Sequence, residues 1–67
     1  MTLEDWRKKK GLSYVKLAAL LGASHATVAR RWCLKKGDKG RMIPNEEFMQ
    51  VIQETTLGDV TPNDFYR

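Results

Sequence analysis

The feature that most constrains this chain is a three-residue connection. Tyr14 to Leu21 and His25 to about Leu34 both read as helices, and only Gly22, Ala23 and Ser24 lie between them. So short a link cannot return the second helix along the first as a long-looped antiparallel neighbour. The two must cross at a steep angle. Gly22 suits the turn, because positive φ is cheap only for glycine. Ser13 and Ser24 are the expected N-caps. Ala18 falls where the helices cross, and its small side chain allows close approach. Leu17 and Val28 are expected to bind the pair together. Leu17, Ala18, Leu20 and Leu21 form the expected buried side of the first member.

The rest of the chain also reads as helix and turn, with no strand-like alternation. Thr2 caps a helix over Leu3 to Lys10. Glu4 and Asp5 sit at the positive end of its dipole, Lys8 to Lys10 at the negative end, and Gly11 closes it. Lys35 to Arg41 is polar, basic and holds two glycines, so it is a loop. Asn45 is the expected cap of a helix over Glu46 to Thr55, with Phe48, Val51 and Ile52 facing the core at i, i+3, i+4 spacing. Gly58 ends that region, and Thr61-Pro62 opens a last short turn with proline in a first-helical position. Trp6 and Trp32 are expected in the core, since so small a domain needs large apolar side chains.

Length and charge narrow the classes of function. At 67 residues the chain is one domain, 1–67. A chain of that size buries only about 60% of its unfolded surface. Cys33, the single cysteine, cannot close an internal disulfide, which fits a reducing cytoplasm. No signal peptide and no membrane span are expected. Residues 1–41 hold eleven Lys/Arg against three Asp/Glu, a balance of +8. Residues 42–67 hold one Arg against five Asp/Glu, a balance of −4. Such asymmetry points to a polyanion bound on one side.

The segment Ser13 to Trp32, SYVKLAALLGASHATVARRW, resembles the helix-turn-helix of phage Cro/repressor-type (XRE-like) transcriptional regulators. The similarity covers residues 12–34, with the helix-turn-helix itself over about 13–34. It continues more weakly through the basic loop, Ile43-Pro44 and the ending Thr61-Pro62-Asn63-Asp64-Phe65-Tyr66. It implies an all-α fold, a lambda-repressor-like bundle of four to five short helices that binds double-stranded DNA, acts as a transcriptional repressor and resides in a bacterial or phage-infected cytoplasm. The second helix of the pair would enter the major groove. Carried over by position, His25, Ala26, Thr27, Ala29 and Arg30 would touch bases. Ser13, Tyr14, Ser24, Arg31, Lys35, Lys36, Lys39 and Arg41 would touch phosphates. On a helical wheel Ala26, Ala29, Arg30 and Cys33 cluster outward, and Val28 and Trp32 face the core. Position 31 departs from the family pattern, which carries an apolar residue there. Either Trp32 takes the core role or Arg31 snorkels over the core edge. Two-fold dimerisation is expected, with the tail 57–67, and Phe65-Tyr66 in particular, as the candidate contact.

Other classes find less support. His25 is alone, without the cysteines or histidines a metal site needs, so neither metal nor cofactor is expected. No nucleophile–base pair or glycine-rich phosphate loop is present, so no enzyme and no small-molecule substrate is expected. Cys33 reads as an inert small residue, and Lys8 to Lys10 as a solvated helix end that suits the dipole, with phosphate contact as the lesser alternative. The alternative is a protein-interaction module, such as an antitoxin or anti-repressor on the same fold, because fold alone does not fix function. A binder of single-stranded RNA would show exposed stacking aromatics, and only Tyr14 and Trp32 are candidates.

Overall fold

A computed structural model describes residues 1–66. It is all-helical: α1 (Leu3–Lys10), α2 (Tyr14–Leu21), α3 (Ala26–Cys33), α4 (Glu46–Thr55) and a closing 3₁₀ turn, Pro62–Phe65. No strand occurs among the described residues. None of these helices is long and apolar enough to cross a membrane.

Local chemistry accounts for most of the boundaries. The Thr2 hydroxyl accepts from the Asp5 amide at 3.1 Å, and the Ser13 hydroxyl from the Lys16 amide at 3.1 Å. The Asn45 amide oxygen accepts from the Phe48 amide at 2.9 Å. Each satisfies one of the orphan donors at a helix start. Gly11 and Gly22 close α1 and α2 in the left-handed region, at φ 67° and 77°. Pro62 occupies the first position of the 3₁₀ turn, and the Thr61 amide donates to the Asp64 carboxylate at 2.8 Å.

The start of α3 differs from the sequence expectation. His25, not Ser24, holds the N-cap position in extended backbone (φ −141°, ψ 148°), with no side-chain cap. The Val28 amide bonds the His25 backbone carbonyl at 3.1 Å, and the Ala23 amide bonds the Ala18 carbonyl at 2.9 Å. The C-terminal closure of α2 therefore consumes Ala23, and the turn spans residues 22–25. Ser24 lies one residue outside the helix.

Every element contributes to one core: Leu3 and Trp6 of α1, Leu17, Ala18 and Leu21 of α2, Ala29, Trp32 and Cys33 of α3, Met49 and Ile52 of α4, and Val60 and Phe65 of the tail. The α2–α3 pair makes the most extensive of the helix–helix contacts. The Trp32 and Phe48 rings lie 4.8 Å apart, tilted by 53°. On α4, Met49 and Ile52 point inward while Phe48 and Val51 flank them half-buried. Leu20, expected inside, is 50% exposed, because α2 turns Leu17, Ala18 and Leu21 inward and leaves Leu20 at the solvent edge of that face. Thr56 is a buried polar residue. Its hydroxyl donates to the Ile52 carbonyl at 2.7 Å and accepts from the Val60 amide at 3.1 Å, which ties the turn after α4 back to the helix.

Candidate nucleic-acid interface

The geometry of α3 decides which side chains can meet a partner. Ala29 is completely buried, Trp32 is 4% exposed and Cys33 8%. Thr27, Arg30 and Arg31 are exposed, as are Ser24 and His25 at the entry, and Ala26 is half-buried. The wheel drawn from sequence is thus rotated by one residue step. Ala29, assigned to base contact, cannot reach any ligand, because its methyl is packed among the other helices. Cys33 likewise belongs inside. Arg31 and Trp32 divide as one of the two sequence alternatives required: Trp32 packs inside and Arg31 stands in solvent, its guanidinium 3.8 Å from the Met42 sulfur. Thr27, Arg30 and Arg31 fall at i, i+3, i+4 and share one face.

The loop after α3 extends this surface. Lys35, Lys36 and Lys39 are exposed, and among the described residues none of them, nor Arg30, forms an ion pair. The loop is built rather than loose. The Asp38 carboxylate accepts from the Lys35 amide at 3.2 Å, and the Met42 amide donates to the Arg31 carbonyl at 3.1 Å.

Arg41, expected on a phosphate, is instead half-buried and bonded to backbone. Its Nε donates to the Leu34 carbonyl at 3.1 Å and its Nη2 to the Phe65 carbonyl at 2.6 Å. Those carbonyls are orphans of the α3 terminus and of the tail, and a guanidinium fork can satisfy both at once.

At the start of α2, Ser13 is exposed, but Tyr14 is not free to reach a phosphate. Its hydroxyl donates to the Glu4 carboxylate at 3.2 Å, and the Arg7 guanidinium lies 4.2 Å from its ring centre. Arg7 also bonds Glu4 at 2.6 Å and the Leu12 carbonyl at 2.8 Å. The Arg7 bond holds the Glu4 carboxyl below the usual carboxylate range, and burial raises the Tyr14 hydroxyl above its own. Tyr14 is therefore part of an α1–α2 brace. Burial also pushes the Cys33 thiol up to about 12, with the Glu4 carboxylate acting in the same direction, which agrees with an inert residue.

Lys8, read from sequence as part of a solvated helix end with phosphate contact as the lesser alternative, is exposed. Lys8 of α1 lines the same cleft as Lys35 and Lys36, a cleft of about 890 Å³ between α1, the end of α3, the loop and the tail. That residues 8 and 35 line one cleft follows from the tertiary fold and could not be read from their positions in the sequence. Among the described residues no group of His, Cys, Asp and Glu is arranged to hold a metal ion.

The tail requires a correction. Phe65 is 3% exposed and belongs to the core, so it cannot centre an interface between two copies. Tyr66 is 65% exposed and Leu57 is 91% exposed, with Leu57 in the left-handed region at φ 54°. Arg67, the last residue of the proposed dimer tail, lies outside the described residues. In comparisons with known proteins, the chain matches no protein-family model, no curated protein and no solved structure.

Proposed function

We propose that the protein is a sequence-specific binder of double-stranded DNA that represses transcription in a bacterial or phage-infected cytoplasm. One observation carries this reading: the solvent face of α3, with Thr27, Arg30 and Arg31 in a row, runs on into a structured loop bearing three lysines that form no ion pair among the described residues. A narrow helix face with two arginines suits the major groove, where arginine paired with guanine is the commonest specific contact. Lysines on a neighbouring loop suit the phosphate rim, where contacts position the protein without reading sequence. The base readers are then His25, Thr27, Arg30 and Arg31. Ser13, Ser24, Lys35, Lys36 and Lys39 are the phosphate contacts. Two copies on a two-fold site follow from the few base pairs one helix can read. Leu57 and Tyr66, rather than Phe65, are the exposed apolar residues of the tail able to pair them.

The test is titration with a random-sequence duplex pool at several salt concentrations, followed by sequencing of the bound fraction. A dimer making roughly 6–10 phosphate contacts loses about 10³–10⁵ in affinity between 50 and 200 mM salt. Binding that ignores salt, or a bound pool no different from the input, would overturn the proposal.

A protein-partner role, such as that of an antitoxin or anti-repressor, is favoured by a separate observation. α2 is apolar nearly all round, with Lys16 its one charge, and its outer face leaves Val15 67% and Leu20 50% exposed. A helix apolar on every side is ordinarily covered. Val15→Ser and Leu20→Gln would abolish capture of such a partner and leave duplex binding intact.

A further inference from the structure

We infer that Arg41 is a positioning residue that orders the basic loop by fastening it to both the end of α3 and the tail. The inference rests on the DNA reading and revises how the loop takes part in it. By charge and place Arg41 belongs with Lys35, Lys36 and Lys39, four cations within seven residues. By geometry it is set apart. The three lysines are exposed, whereas Arg41 is half-buried with its guanidinium turned inward. Nε meets the carbonyl of Leu34, the residue that ends α3, at 3.1 Å. Nη2 meets the carbonyl of Phe65, a core residue 24 positions away, at 2.6 Å. Bonds from a charged donor to a carbonyl are shorter and stronger than neutral ones.

The bonds around Arg41 show what the fastening does. Its own amide donates to the Asp38 carbonyl at 3.2 Å, and Asp38 holds the Lys35 amide through its carboxylate. The next residue, Met42, returns its amide to the Arg31 carbonyl at 3.1 Å. The segment from 35 to 42 is therefore closed at both ends against α3, and Arg41 adds a hydrogen bond to a distant element, the only one from this loop among the described residues. A seven-residue loop with two glycines would otherwise sample many conformations, and each lysine would have to be ordered on binding at an entropic cost. Held as it is, the loop presents its lysines in a fixed arrangement beside Arg30 and Arg31. A lysine at position 41 keeps the charge but lacks the planar fork that reaches two carbonyls.

That difference supplies the experiment. Arg41→Lys, Lys36→Ala and the parent protein are compared for binding to the duplex selected from the random pool, and for amide hydrogen exchange without DNA. Lys36→Ala removes one phosphate contact and is expected to weaken binding about tenfold in 0.1 M salt. Arg41→Lys is expected to weaken it at least as much although no charge is lost, and to speed exchange of the amides of Asp38, Arg41 and Met42 while those of α1 and α2 keep their protection. Parent-like binding by Arg41→Lys would show that only its charge matters and would overturn the inference. Exchange accelerated through the whole domain would do the same, by making Arg41 a plain stability residue. If the parent bound no duplex at all, the DNA reading would fall. The exchange pattern of Arg41→Lys would then decide alone whether this residue orders the loop.

Discussion

Replacing Trp32 by alanine tests the register of α3 directly. Trp32 is 4% exposed and lies against the Phe48 ring at 4.8 Å. A buried aromatic of this kind covers about 150–250 Å². At about 25 cal/mol per Å² that is about 4–6 kcal/mol, of which alanine keeps a part while the cavity left behind adds a penalty. The net cost expected is about 3–5 kcal/mol. A domain of this length has a total stability of about 3–10 kcal/mol. Each kcal/mol shifts the melting temperature of so small a domain by about 4–8 °C. Trp32→Ala should therefore lower Tm by about 12–40 °C, followed by circular dichroism, and leave a large unfolded fraction at working temperature. Trp32→Phe, which keeps a ring against Phe48, should lose much less. Arg31→Ala, one residue away but exposed, should stay within about 0.5 kcal/mol of the parent. A Trp32→Ala melt within a few degrees of the parent, or an Arg31→Ala melt far below it, would refute the assigned register and with it the face proposed for DNA.

Other outcomes follow from the same structure. Arg30→Ala and Arg31→Ala should each cost about 1–3 kcal/mol on the selected duplex and relax preference at one base position; uniform loss across all base variants would remove both as base readers. Because burial raises the Cys33 thiol to about 12, the folded state holds that proton more tightly than the unfolded chain does. The resulting stability is complete below the ordinary thiol range and lost as pH rises from there toward 12, so denaturant midpoints should fall more steeply along that interval for the parent than for Cys33→Ala, which keeps only the smaller fall of the same sign from the raised Tyr14 hydroxyl. Leu57→Asn should raise stability by up to about 1 kcal/mol, since Leu57 sits at φ 54° without burial, and should weaken self-association measured by sedimentation. Thr56→Val strips the Val60 amide of its acceptor and should cost about 1–3 kcal/mol in a denaturant titration.

How much of this was legible in the sequence depends on how local its causes are. The bounds of α1, α2 and α4 could be read because Thr2, Ser13, Asn45, Gly11 and Gly22 act on groups only a few residues away. The loop 35–41 and the proline-led closing turn were legible for the same reason. The face of α3 was not. Its apolar residues are two alanines, Val28, Trp32 and Cys33, and alanine is at home inside or outside, so the wheel had few anchors. Packing against α2 resolves it by drawing Ala29, Trp32 and Cys33 inward together. The roles of Tyr14, Arg41 and Phe65 escaped for a different reason. Each is fixed by a partner distant in sequence: Glu4 for Tyr14, Phe65 for Arg41, the core for Phe65. Charge and position suggest what such side chains are able to do, and only the tertiary fold shows which of those capacities are already used.

The division of α3 into Ala29, Trp32 and Cys33 inside and Thr27, Arg30 and Arg31 outside has a consequence for how such a protein changes over time. Substitutions at the inner positions disturb packing shared by every element, and most would be lost to unfolding. Substitutions at the outer three leave the core packing untouched, Arg31 giving up only a solvent-exposed contact with Met42, and each shifts stability by about half a kcal/mol or less. Those positions are free to drift in combination. On the proposed DNA reading, a lineage carrying this fold acquires a new target by exchanging three side chains, with no compensating change elsewhere in the chain.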